Sequence, residues 1–293
     1  MTPLIPIFLI TVVSGVCCDN HTLQYYITAA SEFGQTEFSI VGYIDDVQIM
    51  LYRSDVGRDI PVVNWMKKEE EKYWDDQTVI SKQLERVFKD MLKKTMERFN
   101  QTRGIHYCQW ISTCKLKDDN STSGTTFIRY DGRDFIYLDK EKEFWIYTMD
   151  EAELTAKEWN NPESPNTKWG HLQSRYLDSE CIHDLKVFLE HGREDLEKRV
   201  RPEVKVWGHR QSDDVTRLHC LVYGFHPRPV EVKWVRNGED HIPSDEMTQI
   251  LPHPDGTYQI RVSVKVPTSN GDTYSCHVDH SSLEEIMIVN WGE

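Results

Sequence analysis

Seven cysteines carry the most versatile chemistry in this 293-residue chain. A thiolate can be a nucleophile, a metal ligand or half of a disulfide. Cys17 and Cys18 end an apolar leader, and the others are Cys108, Cys114, Cys181, Cys220 and Cys276. The latter set is odd in number, so pairing leaves one thiol over. The twelve histidines are scattered, with no H-E-x-x-H and no clustered His/Asp/Glu set. No G-x-S-x-G elbow or glycine-rich phosphate loop occurs. The pattern is that of a binding protein, with no enzyme activity, metal or cofactor expected. A net charge of −14 without a Lys/Arg cluster excludes nucleic acid as an expected partner.

Disulfides need an oxidising compartment, and the amino terminus supplies the route. Residues 1–18, MTPLIPIFLITVVSGVCC, read as a secretory signal peptide, although a basic start is missing. The run is short for a membrane anchor, which needs about 20 apolar residues. Cleavage could follow Cys17 or Cys18. No second apolar run follows, so the protein is expected to be extracellular: secreted, or held at the cell surface by an anchor outside this sequence. Sequons at Asn20, Asn100 and Asn120 are candidate glycosylation sites.

The elements that hold these cysteines differ along the chain. From Leu218 to His280, Cys220 and Cys276 bracket Trp234, and Tyr274 sits two residues before the second cysteine. Val230, Val232 and Trp234, then Ile260, Val262, Val264 and Val266, alternate with polar residues as strands with one buried face do. This is the pattern of an immunoglobulin domain, with an inter-sheet disulfide, a Trp packed on it and a tyrosine corner.

Upstream, one layout occurs twice. TLQYYITA, EFSIVGYID and VQIMLYRS form a strand meander, and the Gly- and Pro-free segment from Val62 to Arg103 follows Pro61. There Leu84, Val87, Phe88, Met91, Leu92, Thr95 and Phe99 recur at helical spacing, and Gly104 is the expected stop. IHYCQWISTCKL, TTFIRYDG and RDFIYLD open the second half. A helical stretch from about Glu151 to Arg199 follows, broken at NNPESPN because proline cannot continue a helix. Two amphipathic helical faces must each cover a sheet face. The economical fold is α+β: one joint antiparallel sheet platform carrying two long helical ridges with a channel between them, then an all-β immunoglobulin-like domain of C1 type. The expected divisions are 19–103 and 104–200 for the two halves of the platform and 201–293 for the last domain.

A bridge from Cys114, on a strand of the second half, to Cys181, on its helix, would close a loop of 67 residues. In the chain-entropy view it would contribute about 4 kcal/mol. It would also turn Cys114 toward the helices. Strand parity then points Cys108, Trp110 and Ser112 into the channel and Tyr107, Gln109 and Ile111 away from it. Trp110 is core, or it narrows the channel floor. Cys108 is the leftover thiol, either buried and inert or lining the channel and open to a covalent ligand.

HTLQYY at the start, VGYIDDVQ, KYW at 72–74, FNQT at 99–102, YDGRDFI at 130–136, the Cys114/Cys181 pair and the final CHVDH resemble the heavy chains of MHC class I molecules over the whole stretch from 19 to 293. The resemblance implies non-covalent pairing with β2-microglobulin and a ligand groove. In peptide-presenting members a set of aromatic and polar residues holds the peptide ends. Tyr25, Tyr73, Thr155, Trp159 and Tyr176 keep the family's residue types at those positions. Arg98 stands where many members have Tyr, and its guanidinium could clamp a carboxylate. Glu158 replaces a Lys, Phe188 a Tyr and Asp184 a Trp. These departures imply a non-standard member whose ligand is an unusual peptide, a lipid or a small molecule, shown to a T-cell or NK-type receptor. The acidic stretch 239–246 lies where family members contact a T-cell co-receptor. The alternative is a class I-like binding module, in a secreted form, whose closed or non-peptide groove binds a protein, lipid or metabolite partner without presenting peptide.

Overall fold

The computed structural model describes residues 20–292 apart from Phe33, 164–167 and 269–270. The expected signal peptide, 1–18, lies outside the described residues. Two compact units divide between His191 and Gly192.

In the first unit, the strands β1 (His21–Glu32), β2 (Gln35–Ile44), β3 (Val47–Arg53), β4 (Asp59–Pro61), β5 (His106–Leu116), β6 (Thr122–Tyr130), β7 (Arg133–Asp139) and β8 (Phe144–Tyr147) make one sheet. Their order is β4-β3-β2-β1-β5-β6-β7-β8. Each half therefore contributes its first strand to the centre, where β1 and β5 run antiparallel from His21 opposite Leu116 to Ser31 opposite His106. The alternation seen in the sequence is kept: Phe38, Ile40, Gly42 and Ile44 of β2 are buried, and Ser39, Val41 and Tyr43 between them are half-buried.

The same local device closes both halves. Asp45 and Asp131 sit in the β2–β3 and β6–β7 turns with φ of 51° and 48°. Asp is one of the few L-residues that tolerates this left-handed backbone. The Asp45 carboxylate accepts from the Thr22 amide at 2.8 Å and from His21 Nδ1 at 2.9 Å. Asp131 accepts from the Tyr107 amide at 2.9 Å and from His106 Nδ1 at 2.8 Å. Each turn is thus tied to the first residues of its half's central strand.

The first ridge is a helix, α1 (Glu71–Arg98), preceded by a 3-10 turn, Asn64–Lys68. It buries Ser81, Phe88, Leu92 and Thr95 on the sheet. It is shorter at both ends than the glycine-free segment allows. Glu69 and Glu70 are extended, with ψ of 141° and 151°. Here Lys68 Nζ donates to the His191 carbonyl at 2.9 Å, and the Glu69 carboxylate approaches His191 Nδ1 to 3.2 Å. At the other end Asn100, and not Gly104, stops the helix. Asn100 takes φ 54°, its amide bonds to the Glu97 carbonyl at 3.1 Å, and the Gln101 amide bonds to the Met96 carbonyl at 2.9 Å. This is a Schellman cap with asparagine in the usual glycine position.

The second ridge is segmented into α2 (Glu153–Asn160), α3 (Lys168–Arg175), a π turn at Tyr176–Glu180 and α4 (Cys181–Leu196). The expected proline break falls between α2 and α3, and its residues 164–167 lie outside the described set. Gly170 lets α3 lie against the β7–β8 turn, since a Cβ there would stand 2.2 Å from the Glu143 carbonyl oxygen. Cys114 and Cys181 are bonded, with Cα atoms 6.2 Å apart, and so join β5 to the start of α4.

The second unit is a two-sheet sandwich. The strands β9 (Glu203–Arg210), β10 (Val215–Phe225), β13 (Glu246–Met247), β14 (Leu251–Pro252) and β15 (Tyr258–Pro267) form one sheet. The other holds β11 (Glu231–Arg236), β12 (Asp240–Ile242), β16 (Tyr274–Asp279) and β17 (Met287–Trp291). Cys220 of β10 bonds Cys276 of β16. Trp234 packs in the same core, and its Nε1 donates to the Val262 carbonyl at 3.2 Å. Tyr274 is buried there too. The immunoglobulin pattern in the sequence is therefore the pattern of this core.

Candidate ligand groove

The parity expected of β5 is observed, with no register shift in its pairing to β1 or β6. On the underside, Gln109 donates to Thr28 and Gln24 donates to Thr113. On the ridge side, the Trp110 ring stacks on Phe88 of α1 at 5.4 Å between centroids. It also meets Trp169 of α3 at 5.9 Å and Trp145 of β8 at 6.2 Å. Its Nε1 is fixed by Thr126 Oγ1 on β6. Trp110 therefore touches both ridges from the floor and fills the middle of the channel.

Beyond this aromatic plug a cavity of about 130 Å³ opens between α1 and α2. Met91, Lys94, Arg98, Trp110, Glu158 and Trp159 are among its walls. Arg98 Nη1 donates to Thr155 Oγ1, which straps one ridge to the other. Lys94 pairs with Asp90 at 2.7 Å, and this hydrogen bond and charge raise the ammonium's pKa. Glu158 is exposed and acts electrostatically on Lys94. Two cations and two carboxylates thus share this end. Pockets for drug-sized ligands run to about 300–1,000 Å³, so this space suits a single ring or a short side chain.

The other end is built from tyrosines and carboxylates. Tyr25 of β1, Tyr73 of α1 and Tyr176 at the π turn are half-buried, and burial pushes each phenol well above its ordinary range. Asp184 of α4 stands among them. Burial raises its carboxyl to about 6, with Glu180 and Glu69 adding and His183 opposing. Phe188, 1 % exposed, is not open to a ligand; it braces the site by meeting the Tyr73 ring edge-on at 6.3 Å. Ser112, opposite Tyr25, is buried with a hydroxyl that has no hydrogen-bond partner among the described residues.

Sequence reasoning did not single out Asp59. This first residue of β4 is 4 % exposed beneath α1. Its Oδ1 accepts from Ser81 Oγ at 3.2 Å, and its amide donates to Thr78 Oγ1 at 3.0 Å. Its Oδ2 is buried without a hydrogen-bond partner among the described residues. Burial raises its carboxyl to about 6 against the pull of Ser81 and Thr78. A signal did exist in the sequence. Thr78 and Ser81 are small polar residues three apart, next to the apolar stripe of α1, and buried hydroxyls need a polar partner.

Among the described residues Cys108 is the unpaired cysteine, but it is 0 % exposed and does not line the cavity. Burial, with Asp131 adding, pushes its thiol far above the ordinary value. This is the setting of an inert thiol and not of one open to a covalent ligand. Asn20, Asn100 and Asn120 are all exposed. In the 239–246 stretch, Asp240 pairs with Arg236 at 2.9 Å, and Asp245 and Glu246 pair with Arg217 at 2.8 and 3.1 Å.

Comparison with known families agrees with this architecture. Residues 19–196 match the family described as class I histocompatibility antigen, domains alpha 1 and 2, and residues 208–283 match the immunoglobulin C1-set domain. Curated relatives include the class I histocompatibility antigen F10 alpha chain of Gallus gallus, 33% identical over 288 residues, covering 97% of this chain and 82% of that one. They also include the major histocompatibility complex class I-related protein 1 of Bos taurus, 31% identical over 290 residues, with 98% and 85% covered. The protein of that name from Rattus norvegicus is 33% identical over 271 residues, with 92% and 78% covered.

Proposed function

The chain belongs to the class I histocompatibility antigen family, whose members bind and present and are not enzymes, and we propose that it pairs with β2-microglobulin and displays a ligand between its ridges to a lymphocyte receptor. The observation that carries this reading is the strapped, partly filled channel: α1 and α2 joined by Arg98 and Thr155 over a cavity of about 130 Å³. Tyr25, Tyr73 and Tyr176 at one end and Arg98, Thr155, Glu158 and Trp159 at the other are the proposed ligand contacts. The ligand has a small or slender body, because Trp110 and Trp169 occupy the middle of the groove.

Exposed apolar side chains on both ridges support a receptor surface: Val79 and Ile80 of α1, Leu154 of α2 and Leu172 of α3. The second unit supports the pairing. Trp207 of β9, 40 % exposed, stacks on His219 of β10, and Met247 and Leu251 of the same sheet are also exposed. Among the described residues no helix is long and apolar enough to cross a membrane. The proposed location is extracellular, with glycans on the exposed sequons.

The aromatic plug favours a second reading, a binding module that carries no ligand in its groove. One experiment separates the two. The chain is co-expressed with β2-microglobulin, the complex is purified, and acid-eluted material is mass-analysed. A stoichiometric ligand supports display. An empty complex overturns it and leaves the second reading.

A further inference from the structure

We infer that the flank of α1 turned away from the channel is the seat of the first sugars of an N-linked glycan on Asn100. The inference rests on the reading that this exposed sequon is glycosylated. A cavity of about 630 Å³ opens between the carboxyl-terminal half of α1 and the β1–β2 hairpin. Its α1 wall is made by Lys89, Leu92, Lys93, Met96 and Glu97, whereas Phe88, Met91, Thr95 and Arg98 line the cavity between the ridges. Spacings of three and four residues keep each set on its own face of the helix. Among the described residues none of α2, α3 or α4 lines the outer cavity. The rest of its lining comes from Gly34, from Ser31 and Thr36, which stand opposite each other on β1 and β2, and from Gln101 and Thr102. The last two are the remaining positions of the Asn100 sequon. Asn100 is also tied to the wall itself. Its amide donates to the Glu97 carbonyl at 3.1 Å, and the next amide, of Gln101, donates to the Met96 carbonyl at 2.9 Å. The residue that would carry the glycan is therefore held beside the cavity by the helix cap.

The lining fits a neutral ligand rich in hydroxyl and amide groups. Lys89 and Lys93 are balanced by Asp90 and Glu97, so the walls favour neither an anion nor a cation. Lys89 is already paired with Glu85 at 2.6 Å, and Asp90 with Lys94 at 2.7 Å. No aromatic ring lines the cavity among the described residues. Its accessible apolar surface comes from Met96, which is half-buried, because Leu92 is 1 % exposed. The hydroxyls of Ser31, Thr36 and Thr102 donate or accept, and the Gln101 side chain, held by the Tyr130 hydroxyl, adds an amide. N-acetylglucosamine, the first sugar of an N-linked glycan, matches this set: it has a ring face for Met96, and hydroxyls and an acetamide for the polar groups. The volume lies within the range of small-ligand sites, about 300–1,000 Å³, and leaves room for a short saccharide. A site open to solvent binds a free sugar weakly. A covalent tether raises the local concentration into the millimolar range, which is enough to fill a weak site.

The test uses the complex with β2-microglobulin made in glycosylating cells, with peptide mapping by mass to read occupancy at Asn100. Thr102→Ala removes the sequon and leaves the Asn100 cap in place. Lys93→Ala and Met96→Ala keep the sequon and change the wall. Two quantities are measured on each complex: the rate at which a glycan amidase releases the Asn100 glycan, relative to the denatured chain, and the thermal midpoint. A portion of the wild type is trimmed by an endoglycosidase to a single N-acetylglucosamine. Release from the native wild type should be slower by about tenfold or more, with most of that protection lost in Met96→Ala and part of it in Lys93→Ala. The thermal midpoints of the full and the trimmed glycoforms should both exceed that of Thr102→Ala. The drop caused by Met96→Ala should be larger with the glycan than in the Thr102→Ala background, a comparison in which the plain packing loss cancels. If Met96→Ala does not fold, Lys93→Ala, at an exposed position, decides. Equal release from wild type and both wall variants, with no thermal difference from Thr102→Ala, overturns the seat and keeps the glycosylation. A thermal gain that disappears on trimming to one sugar also overturns it. A chain unmodified at Asn100 defeats both readings.

Discussion

Trp110 on the floor and Phe88 on the first ridge stack with their planes 23° apart, closing space that an open channel would leave to a ligand. Trp110→Ala removes a side chain that is 3 % exposed and touches both ridges. Truncations of this size cost about 3–5 kcal/mol. Denaturant unfolding of the complex should show a loss in that range. The mass of retained ligand should rise as the cavity extends past the missing ring. An unchanged ligand mass in a stable variant would show that the plug does not set ligand size.

The 114–181 disulfide should matter to stability on a similar scale. Cys114→Ser together with Cys181→Ser frees a loop of 67 residues and should lower stability by about 4 kcal/mol. Reductant added to the wild type also opens Cys220–Cys276, so its denaturation midpoint should fall at least as far as that of the double variant. Coincident curves with and without reductant would remove this role from the bond.

The pH dependence of the ligand-free protein follows from Asp59 and Asp184. Each carboxyl is pushed up to about 6 from an ordinary 3.8. Between those values the folded chain holds more protons than the unfolded one, so stability falls as pH rises from about 4 to about 6. For Asp59, which is 4 % exposed, the effect is about 3 kcal/mol. Tyr25, Tyr52 and Tyr73 around Asp59 stay neutral in this window, while Glu180, Glu69 and His183 modulate Asp184. Thermal unfolding at pH 4.5 and 7.5 should show the slope, and Asp59→Asn should flatten it.

Cys108 should resist thiol reagents in the native state. With a buried, strongly protonated thiol, labelling by a disulfide reagent should be no faster than global unfolding, with or without ligand. Rapid stoichiometric labelling of native protein would reopen a covalent role.

The fold was legible where chemistry repeats at fixed spacing. The alternation of β2 and β15, the Cys220–Trp234–Tyr274–Cys276 set and the facing of Trp110 all follow from periodicity and pairing. The ends of α1 were not legible from glycine alone. Asn100 adopts the backbone usually reserved for glycine, and Glu69 engages His191, far away in sequence. The site was legible in part. Tyr25, Tyr73 and Tyr176 stand near one another at one end, and Phe188 and Cys108 are sealed. Asp59 escaped notice because a single acidic residue in a short edge strand has no periodicity. Its meaning depends on the roof that α1 places over it.

The seam between β1 and β5 has a mechanical consequence. The strand that opens each half is an inner member of the common sheet, so parting the halves would expose a raw border on both and unroof both ridges. Neither half offers a self-sufficient folding unit. The platform should melt as one body, and a disturbance at the Arg98 strap should be felt at the tyrosine end through this shared spine.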